Sequence, residues 1–175
     1  IKKNEFFFFK DLYIEKSKVK VLESLLEKRL SRIPVQRIFK KTYFRDFILH
    51  LNDFNFIPRS DSELVIEILK TKRIYPNKVL DLGTGSGAII ISVLKSFERA
   101  KGLATDISYE SIYMAKKNAI LNNVNNRVNF ICCNWLDVFA NINYDVIVSN
   151  PPYIKTRVIK SLEPEVKDHE PFMAL

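Results

Sequence analysis

Asn150-Pro151-Pro152-Tyr153 follows the apolar run Tyr144-Asp145-Val146-Ile147-Val148-Ser149, and these residue types in this order can hold a planar NH2 group. The Asn150 side-chain oxygen and the Pro151 carbonyl are neighbouring acceptors. Proline fixes φ and removes backbone donors, so the turn is rich in acceptors. Tyr153 offers a ring to lie across the bound group, and Pro152 completes the turn. The run before reads as a buried parallel strand, which puts the tetrapeptide at the strand's C-terminal end, where open α/β sheets bind ligands. The chemistry expected is recognition of an amide or a nucleobase amine. The alternative readings are a strand-end Asn closing a turn and an aromatic packed in the core.

A second constellation supplies the other side of such a site. Val79-Leu80-Asp81-Leu82-Gly83-Thr84-Gly85-Ser86-Gly87 is a short apolar strand entering a loop with glycine at every second position. Glycine permits the tight turn and a close approach of ligand to backbone. The spacing differs from the G-x-G-x-x-G of dinucleotide folds. Gly83, Thr84, Gly85 and Gly87 are the candidate loop residues, with Asp81 beneath them, near a ligand amine or ordering the loop. Further on, Thr105-Asp106-Ile107 ends a second strand with a carboxylate placed to take a ribose diol. A simple helix cap is the alternative role for Asp106. Together, loop, acidic strand end and Asn-Pro-Pro-Tyr predict a methyltransferase that uses S-adenosyl-L-methionine and releases S-adenosyl-L-homocysteine.

The elements that must position these residues follow from periodicity. From Lys78 onward the pattern alternates, with strands expected at 78–82, 101–105, 127–132 and 144–149 and helices at 87–97 and 108–122. Such alternation implies parallel strands with right-handed crossovers. Upstream, Val19, Leu22, Leu25, Leu26 and Leu30 predict an amphipathic helix over 15–33, ended by Pro34. Residues 37–57 read as a β-hairpin with its turn near Asn52-Asp53. Ser60 and Glu63 have capping-box spacing for a helix reaching Lys70. The strand ending at Asn150 would be an exposed sheet edge, to be covered by further chain or another subunit.

At 175 residues, with 47% hydrophobic and 27% charged content, the chain reads as one globular domain. No apolar stretch is long enough to span a bilayer, and the Phe6–Phe9 run is far too short. The net charge of +8 suits either a nucleic-acid or acidic partner or a codon-biased composition with scattered lysines. Cys132 and Cys133 are adjacent, so a mutual disulfide is not expected. They read as small core residues in a reducing, cytoplasmic protein, without zinc-ligand spacing. A first residue of Ile1 points to a piece of a longer chain.

The chain resembles the HemK/PrmC family of protein-(glutamine-N5) methyltransferases that modify peptide chain release factors. Beside Asn-Pro-Pro-Tyr, Ile57-Pro58-Arg59-Ser60-Asp61-Ser62-Glu63 is similar to the family's IPRPETE signature. Pro34 to Leu49 is similar to its P-x-x-Y-I-x-G-x-x-x-F-x-G segment, and Glu170-Pro171-Phe172-Met173-Ala174-Leu175 to its EPxxAL stretch. Arg37, Lys40 and Asp46 stand where the family has a tyrosine and two glycines, and Asn134 where an acidic residue lies near the adenine.

The resemblance implies a Rossmann-like, class I α/β methyltransferase fold with a mainly parallel sheet. It implies the remnant of a helical release-factor-binding domain over 1–33, a β-hairpin linker over 34–58 and the S-adenosylmethionine-binding domain over 59–175, short of its last strands. It implies methylation of the glutamine amide in a release factor's GGQ motif, by a monomer that needs no metal. Asn134 would meet the adenine. Trp135 would flank it or pack in the core, and Arg59 and Glu63 would place cofactor or substrate or form a surface ion pair. Two rivals stand beside this: an amino methyltransferase acting on a flipped nucleobase, and a cofactor-binding domain without turnover.

Overall fold

The computed structural model describes residues 15–135 and 143–175, so Phe6–Phe9 and the rest of 1–14 and 136–142 lie outside the described residues. Helix α1 (Lys16–Leu30) forms where apolar residues recur at helical spacing. It ends three residues before the expected position, and none of its residues is buried. Val19, Leu22, Leu26 and Leu30 are exposed. The end of α1 is tied down by polar contacts instead, from Arg29 to Glu165 at 3.1 Å and from Arg32 to Glu163 at 2.9 Å.

Pro34 does more than end that helix. It starts a second one, α2 (Val35–Phe39), because its fixed φ suits a helix N-terminus. Lys40 caps α2 at φ 51°, in the left-handed region, where the resembling family carries glycine. A non-glycine residue costs roughly 1–2 kcal/mol there. The hairpin follows as β1 (Lys41–Phe44) and β2 (Phe47–His50), antiparallel and in register from Lys41↔His50 to Phe44↔Phe47.

Its turn is therefore Arg45-Asp46 rather than Asn52-Asp53, and residues 37–39 are helical. The reason is packing. Phe44 and Phe47 flank the turn, meet edge to face at 5.9 Å and are both buried. Arg45 takes the positive φ of 51°, not Asp46. Asn52 makes a separate turn, its side-chain oxygen accepting from the Phe54 amide at 2.9 Å.

The expected capping box is absent. Ser60–Glu63 winds as a short 3-10 turn and α3 (Leu64–Thr71) begins only after it, without a side-chain cap. Glu63 is otherwise engaged: its Oε1 accepts from the Arg45 amide at 3.0 Å, bracing the hairpin turn.

The remaining chain makes the central sheet. Strands β3 (Lys78–Leu82), β4 (Lys101–Asp106), β5 (Val128–Cys132) and β6 (Val146–Ser149) are all parallel, in the order β5-β4-β3-β6. Helices α4 (Ala88–Ser96) and α5 (Tyr109–Leu121) are the crossovers. The chain steps from β3 to β4 to β5, then returns to the far side of β3, so the order reverses there. Such reversals are where open sheets bind ligands.

Five α4 residues, Ile89, Ile90, Ile91, Val93 and Leu94, are buried against a core that includes Val79, Ala104, Ala119 and Val148. A continuous apolar helix of this kind needs cover on all sides, and the hairpin's Phe44, Phe47 and Leu49 join the same core. Among the described residues strand β6 is a sheet edge, as expected of the strand ending at Asn150, so its apolar run is not the buried strand it reads as: Ile147 is 60% exposed.

Beyond β6, α6 (Thr156–Ile159) and α7 (Pro164–Lys167) are single turns leading to the last residues. The cysteines are not core residues. Strand β5 is the opposite edge, so Cys132 is exposed and Cys133 only half-buried, with no disulfide.

Candidate active site

The carboxyl ends of the four strands are level. Leu82 pairs with Thr105 on one side and with Ser149 on the other, and Asp106 pairs with Cys132. The Ser149 hydroxyl donates to the Leu82 carbonyl at 2.9 Å, pinning β3 to β6 just before each chain turns away. This register brings the glycine loop, Asp106, Asn134 and Asn150 to one end of the sheet. A cavity of about 320 Å³ lies there, in the range of small-molecule sites.

The loop is held from below. Asp81 is buried and accepts from the Thr84 hydroxyl at 2.7 Å, while its Oδ1 has no hydrogen-bond partner among the described residues. Burial pushes its carboxyl up to about 6, against the Thr84 bond. The Thr84 amide donates to the Thr105 carbonyl at 2.8 Å. Gly85 has φ 56° and donates its amide to Asp106 Oδ2 at 2.8 Å. Asp106 Oδ1 accepts from the Ser108 amide at 2.9 Å. Each Asp106 oxygen therefore has one backbone donor and keeps a lone pair for the cavity.

Gly83, Thr84, Gly85, Asp106, Ile107, Asn134, Trp135, Asn150, Pro151, Pro152 and Tyr153 all line this cavity. Trp135 is about half exposed, so it is a wall of the site rather than core. The Asn-Pro-Pro-Tyr turn and the glycine loop leave neighbouring strands and line the same cavity, and Tyr153 is 76% exposed.

Four candidates are not in the lining. Asp81 lies under the loop. Gly87 caps α4 at φ 83°, where an added Cβ would meet Ile91 Cδ1 at 3.1 Å and Ala115 Cβ at 3.3 Å, so its place is structural. Glu63 turns to the hairpin. Arg59 stacks on the Phe56 ring at 4.8 Å and pairs with Glu170 at 3.2 Å. Neither of the latter two is partnered with the other in the ion pair that was one of their expected roles.

The cavity has further walls that residue types alone did not announce. Phe54, Phe56, Pro58 and Ser62 form one, and Met173, Ala174 and Leu175 form another. The second is joined to the Asn-Pro-Pro-Tyr turn by a hydrogen bond from the Ile154 amide to the Leu175 carbonyl at 3.1 Å. The similarity of 57–63 and 170–175 to family signatures was the signal for both. Asn118, also missed, is a buried tie: it accepts from the His50 amide at 2.8 Å and donates to the carbonyls of His50 and Ser86, both at 2.9 Å.

Among the described residues the cavity is lined by no lysine or arginine, and Asp106 is its one charged residue. Along this end of the sheet the acceptor-rich turn lies on one side of the glycine loop and the carboxylate and indole on the other, an order that fits a nucleoside-bearing ligand on one side and an NH2 group on the other.

The strand order and this site define a Rossmann-like α/β domain of the class I methyltransferase type. The model of the methyltransferase small domain matches residues 60–163, and the chain belongs to that family. It is similar to the release factor glutamine methyltransferase of Agrobacterium fabrum, at 36% identity over 88% of this chain and 55% of that protein. It is 38% identical to the release factor glutamine methyltransferase of Caulobacter vibrioides, over 90% of this chain and 55% of that one. The chain thus spans about half the length of the curated relatives it matches. Among solved structures, a ribosomal protein L11 methylase from Lactobacillus delbrueckii subsp. bulgaricus is 30% identical over 65% of this chain and 56% of its own, with a TM-score of 0.45.

Proposed function

We propose that this domain methylates the side-chain amide nitrogen of a glutamine in peptide chain release factors, that of their GGQ motif, using S-adenosyl-L-methionine. The observation that carries the reading is the shared cavity, which the Asn150–Tyr153 turn, the glycine loop and Asp106 all line. The similarity to release factor glutamine methyltransferases supports the choice of substrate.

S-adenosyl-L-methionine, when bound, supplies an electrophilic methyl group on a sulfonium. Gly83, Thr84 and Gly85 with Asp106 and Ile107 would hold it, with Asn134 and Trp135 toward the adenine. An amide nitrogen is a poor nucleophile because its lone pair is delocalised into the carbonyl. The Asn150 oxygen and the Pro151 carbonyl accept its two N–H bonds and draw the nitrogen toward pyramidal geometry, while Tyr153 packs on the amide plane. This assists the reaction insofar as the contacts strengthen in the transition state. Fixing both reactants in line can supply on the order of 7–11 kcal/mol. The product proton becomes acidic and leaves to water, so no side chain need act as base.

A nucleic-acid substrate would use the same turn, but the similarity to release factor glutamine methyltransferases favours the protein amide. The reading implies a monomeric, cytoplasmic enzyme.

Tritium transfer from labelled S-adenosyl-L-methionine tests it, offering unmethylated release factor, bulk RNA and DNA in parallel. Label is expected in the release factor and is expected to disappear with Asn150→Ala. Label in nucleic acid would replace the substrate assignment, and no label in any of them would leave a binding domain.

A further inference from the structure

The Glu170 side chain has 0% exposure and joins three separate parts of the chain. Its Oε2 accepts from Arg37 on α2 and from the Ile57 amide at 3.1 Å, and its Oε1 accepts from Arg59 at 3.2 Å. The two arginines are not equivalent. Arg59 is 45% exposed, whereas Arg37 is 9% exposed and also donates to the carbonyls of Asn52 and Asn55. A carboxylate this deeply enclosed persists only when paired and hydrogen-bonded, and Arg37 is its enclosed partner.

What Glu170 fixes is the site's outer frame. On one side it holds Ile57, between Phe56 and Pro58 of the first wall. On the other it begins the stretch whose Met173, Ala174 and Leu175 form the second wall. That stretch returns to the acceptor turn through the bond from the Ile154 amide to the Leu175 carbonyl. No residue of the pair lines the cavity, so any effect on reaction passes through the frame.

We propose that Arg37 and Glu170 form a clip that positions the Asn150–Tyr153 turn for the reacting NH2 group. Arg37 stands in place of the family's tyrosine. A tyrosine carries one hydroxyl, whereas the guanidinium fork meets two carbonyls and the carboxylate at once. Both are positioning residues, and the proposal rests on the reading of that turn as the acceptor site.

Its test uses the intact chain with Arg37→Met, Arg37→Lys and Glu170→Gln. Amide hydrogen exchange at Ile154 reads the frame without reference to activity, and α5 serves as an internal control. Exchange at Ile154 is expected to quicken roughly tenfold or more in Arg37→Met and Glu170→Gln, with α5 unchanged, as local opening without global unfolding requires. Turnover on unmethylated release factor should fall on the order of 10–100-fold, as misplacement of reacting groups does, while cofactor affinity stays within about threefold. Arg37→Lys should recover only part of either effect, since one ammonium cannot reproduce the fork.

Unchanged exchange at Ile154 overturns the clip. So does a parallel loss of α5 protection, cofactor affinity and turnover in all three variants, which is simple destabilisation. Faster Ile154 exchange in variants of a wild-type chain that methylates no release factor would uphold the clip and remove the substrate assignment instead.

Discussion

The Asp106 carboxylate accepts the Gly85 amide at 2.8 Å, so the residue facing the cavity from β4 is also the one that holds the glycine loop open. Its second oxygen holds the Ser108 amide at the start of α5. One side chain thus ties loop and helix together while lining the cavity. This dual role separates Asp106 from a simple helix cap, since Ser108 itself caps α5 by accepting from the Ser111 amide at 3.1 Å.

Asp106→Ala is accordingly expected to weaken S-adenosyl-L-homocysteine binding by about 2–3 kcal/mol, the scale of a lost hydrogen bond to a charged group. Asp106→Asn, which keeps one acceptor, should lose less. Titration calorimetry on both variants checks this, and equal affinities for wild type and Asp106→Ala would remove Asp106 from the ligand's contacts.

Asp81 contributes a pH dependence of its own. Its folded carboxyl lies at about 6 against an ordinary value of 3.8, through burial. Between those values the folded chain binds more protons than the unfolded one, so this group's contribution to stability falls as pH rises from about 4 to about 6 and stays low above that. Asp81→Asn removes the charge and keeps an oxygen for Thr84. Relative to wild type it should be more stable at pH 7.5 than at pH 4.5, by about 2 kcal/mol. Urea denaturation at the two pH values measures the difference, and a substitution effect that does not vary with pH contradicts the account.

Two glycines of the loop differ in what they demand. Gly85→Ala meets nothing within 4 Å and suffers only from its φ of 56°, about 1–2 kcal/mol. Gly87→Ala has the same conformational cost and also presses on Ile91 and Ala115, where overpacking adds typically 1–3 kcal/mol. Thermal and chemical denaturation should therefore rank Gly87→Ala as the more destabilised. The reverse order would mean that α4 and α5 move apart readily.

Trp135 is the one tryptophan of the chain and lines the cavity at 48% exposure. Its fluorescence should shift to shorter wavelength or be quenched as S-adenosyl-L-homocysteine binds and excludes water from the indole. A saturable change lost in Asp106→Ala is the expected result; an emission spectrum indifferent to ligand would place the adenine elsewhere.

The sheet and its candidate site were legible because its parallel strands write short apolar runs, near-continuous in β3, which is buried, and in the edge strand β6, and because Gly83 to Gly87 and Asn150 to Tyr153 follow these two directly. The hairpin was legible in kind but not in register. Its Arg45-Asp46 turn has no glycine or asparagine to mark it, and Asn52-Asp53 looks more like a turn than the turn does. Cys132 and Cys133 were misplaced since strand order, which makes β5 an edge, is not written in any local pattern. The same holds for Glu170 and Arg37, whose partnership spans 133 positions of sequence. Glu63 had the spacing of a cap, but the Arg45 amide competed for it and won.

The pairing of Leu82 with Ser149 has a consequence for how the domain comes into being. The central strand acquires its first neighbour early, from β4, but its second only from β6, whose Ser149 lies 67 positions beyond Leu82. Contacts of such separation close late and slow folding. As the chain emerges during synthesis, the glycine loop can therefore take shape against β4 well before the acceptor turn exists. The two halves of the candidate site meet only when β6 docks, so completion of the sheet and assembly of that site are one and the same step.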